Sequence, residues 1–202
     1  MIASTSSPAP AASENCSTTV PTEATPRWDR EVEVLYTAAT LQARVASLGA
    51  QICQDYRGRD LCLVGVLKGS FLFLADLARA IDLPLSCDFI GISSYAGGTR
   101  SSGVVKITQD MQQSVEGRHV LLVEDIIDSG LSMRYLLNNF ALRRPASLSV
   151  CSLLVKPRRT PGFIPIDYAG FEIPDAFVVG YGLDLAERFR NLPYLGVYRG
   201  AT

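Results

Sequence analysis

Between Val120 and Ser132 the chain reads Val-Leu-Leu-Val-Glu-Asp-Ile-Ile-Asp-Ser-Gly-Leu-Ser. Four consecutive apolar residues, with no alternation, describe a strand buried on both faces, as in a parallel sheet covered by helices. The strand, expected over residues 119–124, ends in the adjacent carboxylates Glu124 and Asp125. A third acid, Asp128, precedes a Ser-Gly-Leu-Ser segment that opens a helix. Such a strand end suits a phosphorylated sugar, because the acids accept from hydroxyls and the N–H groups of the turn take the phosphate. The alternative is three solvated carboxylates, with Asp128 capping the helix. Against it, the apolar pairs Leu122-Val123 and Ile126-Ile127 hold Glu124 and Asp125 beside a core, where an unpaired carboxylate is costly and a ligand or metal offsets the cost.

The flanking sequence repeats the pattern. Glu31 to Tyr36 alternates as a short edge strand, and Thr37 is placed to cap a helix through about Tyr56 with Leu41, Val45, Leu48 and Ile52 on one face. Leu61 to Leu67 is a continuous apolar strand, and Ser70 to Ile81 is helical with Phe71, Leu74, Leu77, Ala78 and Ile81 inward. Further strands are expected at 85–92, 104–108 and 148–155, and a helix over 131–142 with Met133, Leu136, Leu137 and Phe140 inside. The remainder offers short strands at 167–170, 176–180 and 194–198 and one helical turn near Leu185. Residues 93–103, Ser-Ser-Tyr-Ala-Gly-Gly-Thr-Arg-Ser-Ser-Gly, form a long small-residue loop of the kind that serves as a lid. Alternating strands and helices give an α/β class with a mainly parallel sheet, whose ligands gather at the C-terminal strand ends. That rule puts Lys68, the 125–132 segment and Lys156 on one rim.

Composition narrows the function classes. With 202 residues, 48% of them hydrophobic, the chain suits one large domain, assigned to residues 27–202. A net charge of −1 with scattered basic residues excludes a surface built for nucleic acid or anionic membrane. Five cysteines without paired spacing and a single histidine, His119, argue against disulfides and zinc and for a reduced, cytoplasmic protein in which His119 is structural. No apolar stretch approaches the roughly 18 residues of a membrane span. Residues 1–26, rich in Ala, Ser, Thr and Pro, fit neither a secretory signal nor a transit peptide and are read as a disordered tail. Gly65-Val66-Leu67-Lys68-Gly69-Ser70 is not a Walker A motif and no G-x-G-x-x-G is present, which disfavours nucleotide-cofactor readings. Only three of the 19 basic residues are lysines, Lys68, Lys106 and Lys156; a lysine kept against that bias marks a place for a compact, rotatable donor, although Lys106 has no evident role.

Val120 to Met133 resembles the phosphoribosyl pyrophosphate (PRPP) signature of the type I phosphoribosyltransferases. The likeness extends through Leu63–Asp76, Ser94-Tyr95, Cys151–Lys156 and Gly170–Arg190, and covers about residues 30 to 198. Phe171-Glu-Ile-Pro-Asp-Ala-Phe-Val-Val-Gly-Tyr-Gly-Leu-Asp184 is similar to the hypoxanthine-guanine branch of that family. The resemblance implies the type I fold with a small hood formed by terminal segments, and Mg2+ as cofactor. It also implies small-molecule substrates (PRPP with hypoxanthine or guanine), the products IMP, GMP and pyrophosphate, and a homodimer or homotetramer.

Residue roles are likewise implied by the resemblance. Glu124 and Asp125 would hold the ribose hydroxyls and, with Asp184, the metal. Asp128, Ser129, Gly130, Leu131 and Ser132 would form the 5′-phosphate loop, with Asp128 also serving as catalytic acid–base at the purine N7. Lys68, Gly69 and Arg190 would meet the pyrophosphate, often across a cis bond between Leu67 and Lys68. Lys156 would donate to the purine O6, while Phe177, Val178 and Leu183 would form the base pocket. Ser94 and Tyr95 would belong to the lid. Ser129 and Ser132 stand where many members have threonine, preserving the hydroxyl, and Leu131 stands where some carry a charge. Each residue has a plainer alternative: core for Phe177, a turn cap for Asp184, an ordinary surface cation for Arg190 and Lys156. Two rival functions share the fold, a xanthine-preferring transferase and a PRPP- or nucleotide-sensing regulatory protein.

Overall fold

The computed structural model describes residues 31–94, 105–156 and 164–200. Its elements run β1 (Val32–Tyr36), α1 (Ala38–Asp55), β2 (Leu61–Leu67), α2 (Phe71–Ala80), β3 (Leu85–Ser94), β4 (Val105–Gln109), β5 (His119–Ile127), α3 (Leu131–Ala141), β6 (Ser147–Val155), β7 (Tyr168–Glu172), β8 (Val178–Val179) and β9 (Leu195–Tyr198). Six strands form one sheet in the order β4-β3-β2-β5-β6-β7, parallel except for β4, which folds back antiparallel on β3. A second, antiparallel sheet, β1-β9-β8, joins the first strand to the last and forms the expected hood.

The uninterrupted apolar runs follow from this layering. Side chains alternate across a strand, so both sets of a central strand need cover. Leu61 and Leu63 of β2 and Leu121 and Val123 of β5 pack in one core cluster with α1 and α2. Cys62, Val64 and Val66, with Val120 and Leu122, pack on the opposite face against Met133, Leu136 and Phe140 of α3. Each fully buried residue of this size contributes about 1.5–3 kcal/mol relative to exposure, which ranks this packing well above any single ion pair on the surface. Thr37 caps α1 by accepting from Thr40 N at 3.2 Å, and Leu41, Val45, Leu48 and Ile52 face inward as expected. Among the described residues no helix is long and apolar enough to cross a membrane.

Several boundaries differ from the sequence reading. β5 runs through the acids to Ile127, because β6 pairs with it as far as Ile126↔Leu154 and Ile127↔Val155. In α2 the buried ring is Phe73, not Phe71; with Leu74 and Leu77 already facing the sheet, the 100° helical step leaves Phe71 at the exposed margin. Ala78 and Leu137 are half-buried. β3 extends to Ser94. The turn near Leu185 is not helical: Leu185 and Arg188 exchange backbone hydrogen bonds of 3.1 and 3.0 Å around a two-residue turn. Of the cysteines, Cys62 and Cys151 are buried as small hydrophobes, whereas Cys87 is exposed. His119 bonds Ser147 Oγ through Nδ1 at 2.7 Å and meets the Tyr56 ring edge-on, a structural placement. The expected tail at 1–26, the start of order near Arg27, and Tyr95 with the rest of the lid through Gly103 lie outside the described residues.

Candidate active site

The parallel strands β2, β5 and β6 end side by side, and their C-terminal ends deliver Lys68, the Glu124–Ser132 segment and Lys156 to one rim. Lys156 N donates to Ile127 O at 3.1 Å, tying the two strand ends together. Three cavities open along this rim; Asp128 lines the first and third, and Asp125 the second and third.

The smallest, about 110 Å³, is lined by Glu124, Ile127, Asp128, Ser129, Gly130 and Ser132 among others. It sits over the start of α3, whose first N–H groups have no partner within the helix and suit an anion. Gly130 occupies the cap position at φ +76°, a left-handed conformation that glycine adopts without a Cβ clash. Leu131 N donates to Ser129 Oγ at 3.4 Å, and the Leu131 side chain points to solvent, consistent with a position that acts through its backbone.

Glu124 and Asp125, on alternate sides of β5, enter different cavities: Glu124 lines the first, Asp125 the other two. Burial raises the Glu124 carboxyl well above the usual range, and the neighbouring Asp125 charge pushes the same way. Its Oε2 is shielded from solvent without a hydrogen-bond partner. Asp125 is pushed up to about 6, chiefly by burial, against the pull of backbone N–H groups and Arg190. Two under-solvated carboxyls are a site built to receive hydroxyl or cation partners.

The second cavity, about 410 Å³, is lined by Lys68, Gly69, Asp125, Asp184, Glu187 and Arg190 together with Gly91, Ile92, Thr108 and Gln109. The Leu67–Lys68 peptide bond is cis. Arg190 is held in place: Nη1 donates to Gly182 O at 2.8 Å, and Nη2 reaches Asp184 Oδ1 at 2.8 Å and Glu187 Oε2 at 3.3 Å. With its side chain 19% exposed, Arg190 is no ordinary surface cation. Asp184 also caps the following turn, accepting from Glu187 N at 2.8 Å, so the turn-cap alternative holds alongside its place in the cavity wall.

The third cavity, about 260 Å³, is formed by Asp125, Ile126, Asp128, Lys156, Ala176, Phe177, Val178, Leu183 and Asp184. Lys156, its side chain 13% exposed, lies between Asp128 Oδ2 at 3.2 Å and Asp175 Oδ1 at 3.3 Å. Phe177 is 51% exposed on the hood, which excludes the core alternative and offers a ring face to a planar ligand.

A divalent cation fits this donor set in one manner. Among the described residues no three acidic, His or Cys side chains converge tightly enough to hold a metal alone. Asp125 and Asp184 both border the second and third cavities, whereas Glu124 borders only the first. Two carboxylates beside a cavity with Lys68 and Arg190 match a hard ion that takes its remaining ligands from water and substrate oxygens.

The rim thus gathers Lys68, Gly69, Glu124, Asp125, Asp128, Ser129, Gly130, Ser132, Lys156, Phe177, Val178, Leu183, Asp184 and Arg190. Ser94 closes β3, and Tyr95 lies outside the described residues. Sequence reasoning missed Glu187 and Asp175, which engage the three cations, although Glu187 lies three residues from both Asp184 and Arg190 in a visibly charged stretch. Thr108 and Gln109 enter through β4, a strand the sequence signals but whose antiparallel pairing with β3 it does not.

The family model described as phosphoribosyl transferase domain matches residues 32–186. The hypoxanthine-guanine phosphoribosyltransferase of Mycobacterium avium is 51% identical over 169 residues, covering 81% of this chain and 83% of that protein. The protein of the same name from Bacillus subtilis is 49% identical over 170 residues, covering 84% and 94%. Among solved structures, a hypoxanthine phosphoribosyltransferase from Staphylococcus aureus superposes with a TM-score of 0.83 at 44% identity, covering 87% of this chain and 96% of that one.

Proposed function

Because the chain belongs to the phosphoribosyl transferase domain family, we propose that it is a purine-salvage enzyme that transfers 5-phosphoribosyl from PRPP to N9 of hypoxanthine or guanine. One observation carries the reading: three adjoining cavities at the strand ends have the chemistry of a phosphate, a diphosphate and a 6-oxopurine. Relatives named for hypoxanthine and guanine support it, and nothing in the comparisons favours the xanthine-preferring or sensing alternatives.

In this reading the turn at 128–132 holds the 5′-phosphate, and Glu124 and Asp125 accept from the ribose hydroxyls. Lys68 and Arg190 hold the diphosphate. The bond from C1′ to the diphosphate oxygen breaks, positive charge develops on the ribose, and a bond from C1′ to N9 forms. Lys156 donates to O6, which places N7 toward Asp128; Asp128 takes up the proton lost from the base, a general-base contribution of about 10²–10⁴-fold. Phe177 covers the ring, and Val178 and Leu183 bound its edge. Asp125 and Asp184 would hold magnesium, which would supply charge neutralisation on the leaving group. The four cysteines among the described residues are free thiols, which supports a cytoplasmic setting, and a homodimer or homotetramer is the expected assembly.

The direct test is nucleotide formation from PRPP with magnesium, comparing hypoxanthine, guanine and xanthine. We expect IMP and GMP, with xanthine poorest. No nucleotide from hypoxanthine or guanine overturns the reading.

A further inference from the structure

Glu187 is an anion standing between two cations that the diphosphate needs. Its Oε1 accepts from Lys68 Nζ at 3.1 Å and its Oε2 from Arg190 Nη2 at 3.3 Å, so one carboxylate spans the positive side of the second cavity. The residue is placed there by its backbone. Ala186 and Glu187 form the two-residue turn between Leu185 and Arg188, with φ of +50° and +64°. Paired left-handed non-glycine residues are uncommon, and they fix the direction in which the side chain leaves the turn. Asp184 Oδ2 accepts from Glu187 N at 2.8 Å and holds the turn closed.

We propose that Glu187 is an internal competitor for the diphosphate, its carboxylate occupying Lys68 and Arg190 in the free protein and yielding them when PRPP or pyrophosphate arrives. The proposal rests on the functional reading above and goes beyond it by assigning a residue that limits affinity for the leaving group. A diphosphate carries more charge and more acceptor oxygens than a carboxylate, so it wins the same two cations. The competitor is displaceable, because the Lys68 and Glu187 side chains are 67% and 65% exposed and such pairs are weak. The consequence is faster release of pyrophosphate, with looser capture of PRPP in exchange.

The experiment is calorimetric titration of the full chain with sodium pyrophosphate in excess magnesium chloride, on the wild type, Glu187→Gln and Glu187→Ala, with circular dichroism to match the folded states. Loss of the two ion pairs of this exposed carboxylate corresponds to about two- to tenfold tighter pyrophosphate binding in both variants. Steady-state assays should show KM for PRPP falling by a similar factor while kcat does not rise. A residue that only supports the turn gives weaker binding when removed, as does one that ligates the metal, so unchanged or weakened affinity in Glu187→Gln overturns the proposal. If Glu187→Ala does not fold, Glu187→Gln decides alone. A wild type that neither binds pyrophosphate nor forms IMP defeats the functional reading and this inference together. A wild type that does both, with Glu187→Gln unchanged, defeats only the competitor.

Discussion

Gly69 presses its Cα against the Asp125 carboxylate: a methyl group added to Gly69 would overlap Asp125 Oδ2. The Lys68-Gly69 turn and β5 are therefore in direct contact, and the absence of a side chain at residue 69 is what lets Asp125 reach two cavities. Gly69→Ala should displace Asp125 and the Lys68 turn together, lowering kcat/KM for PRPP by at least about a hundredfold, in line with a small misplacement of positioning groups. Titration of the variant with PRPP and with hypoxanthine, alongside steady-state kinetics, checks this. Near-normal PRPP kinetics in Gly69→Ala would show that the loop has room to move.

The raised carboxyls of Asp125 and Glu124 have a signed consequence for stability. A carboxyl whose folded pKa is raised keeps a proton that the unfolded chain releases, so stability falls as pH climbs through the window between the two values. For Asp125 that window runs from the unfolded value of about 4 to the folded value of about 6, and the penalty is complete above it. Asp125→Asn should therefore melt at a higher temperature than the wild type at pH 8, by about 3–8 °C for a stabilisation of roughly 1–3 kcal/mol in a domain of this size. The gain should shrink below pH 5, and activity should be lost. Scanning calorimetry at pH 4.5 and 8 reads both arms, and a variant less stable than wild type at pH 8 contradicts the argument.

Asp128 stands apart from that pair: it is exposed and hydrogen-bonded to Lys156 at 3.2 Å. Asp128→Asn keeps a hydrogen-bonding side chain in the phosphate turn but removes the proton acceptor. Turnover should fall by about 10²–10⁴-fold, with PRPP affinity changed far less. Single-turnover kinetics paired with a PRPP titration separate the two quantities, and near-normal turnover would remove Asp128 from the chemistry.

In the proposed reading Lys156 serves the base. Replacing it by Gln deletes a charged donor, worth about 1.5–3 kcal/mol or roughly 10–150-fold in affinity. KM for hypoxanthine and guanine should rise by that order while KM for PRPP stays within a few-fold. Equal losses for both substrates would mean that Lys156 matters through Asp128 and Asp175 rather than through the purine.

Much of this arrangement is legible in the chain because the governing patterns are local. The apolar runs of β2 and β5 report burial on both faces, and Thr37 reports where α1 starts. What escaped depended on distant partners. β5 continues past its acids only because β6 pairs alongside it, and Phe73 rather than Phe71 is buried because it shares the inward face of α2 with Leu74 and Leu77. The left-handed turn at Ala186 and Glu187 carries no Asn or Gly to announce it. Its closure depends on Asp184, which accepts from Glu187 N, and it carries Glu187 to the two cations.

The hood gives the order of synthesis a functional meaning. Among the described strands β1 is made first, yet its partner is β9, made last of them, and β9 also supplies the Val197 that pairs with Val178 beside Phe177. As the chain emerges N-terminal end first, the six-stranded sheet with its phosphate turn can assemble while the base pocket still lacks its backing strand. In the proposed reading, a chain clipped before Leu195 would retain the strand ends assigned to the sugar phosphate but have no firm seat for the base, so β9 is the strand that would couple donor to acceptor.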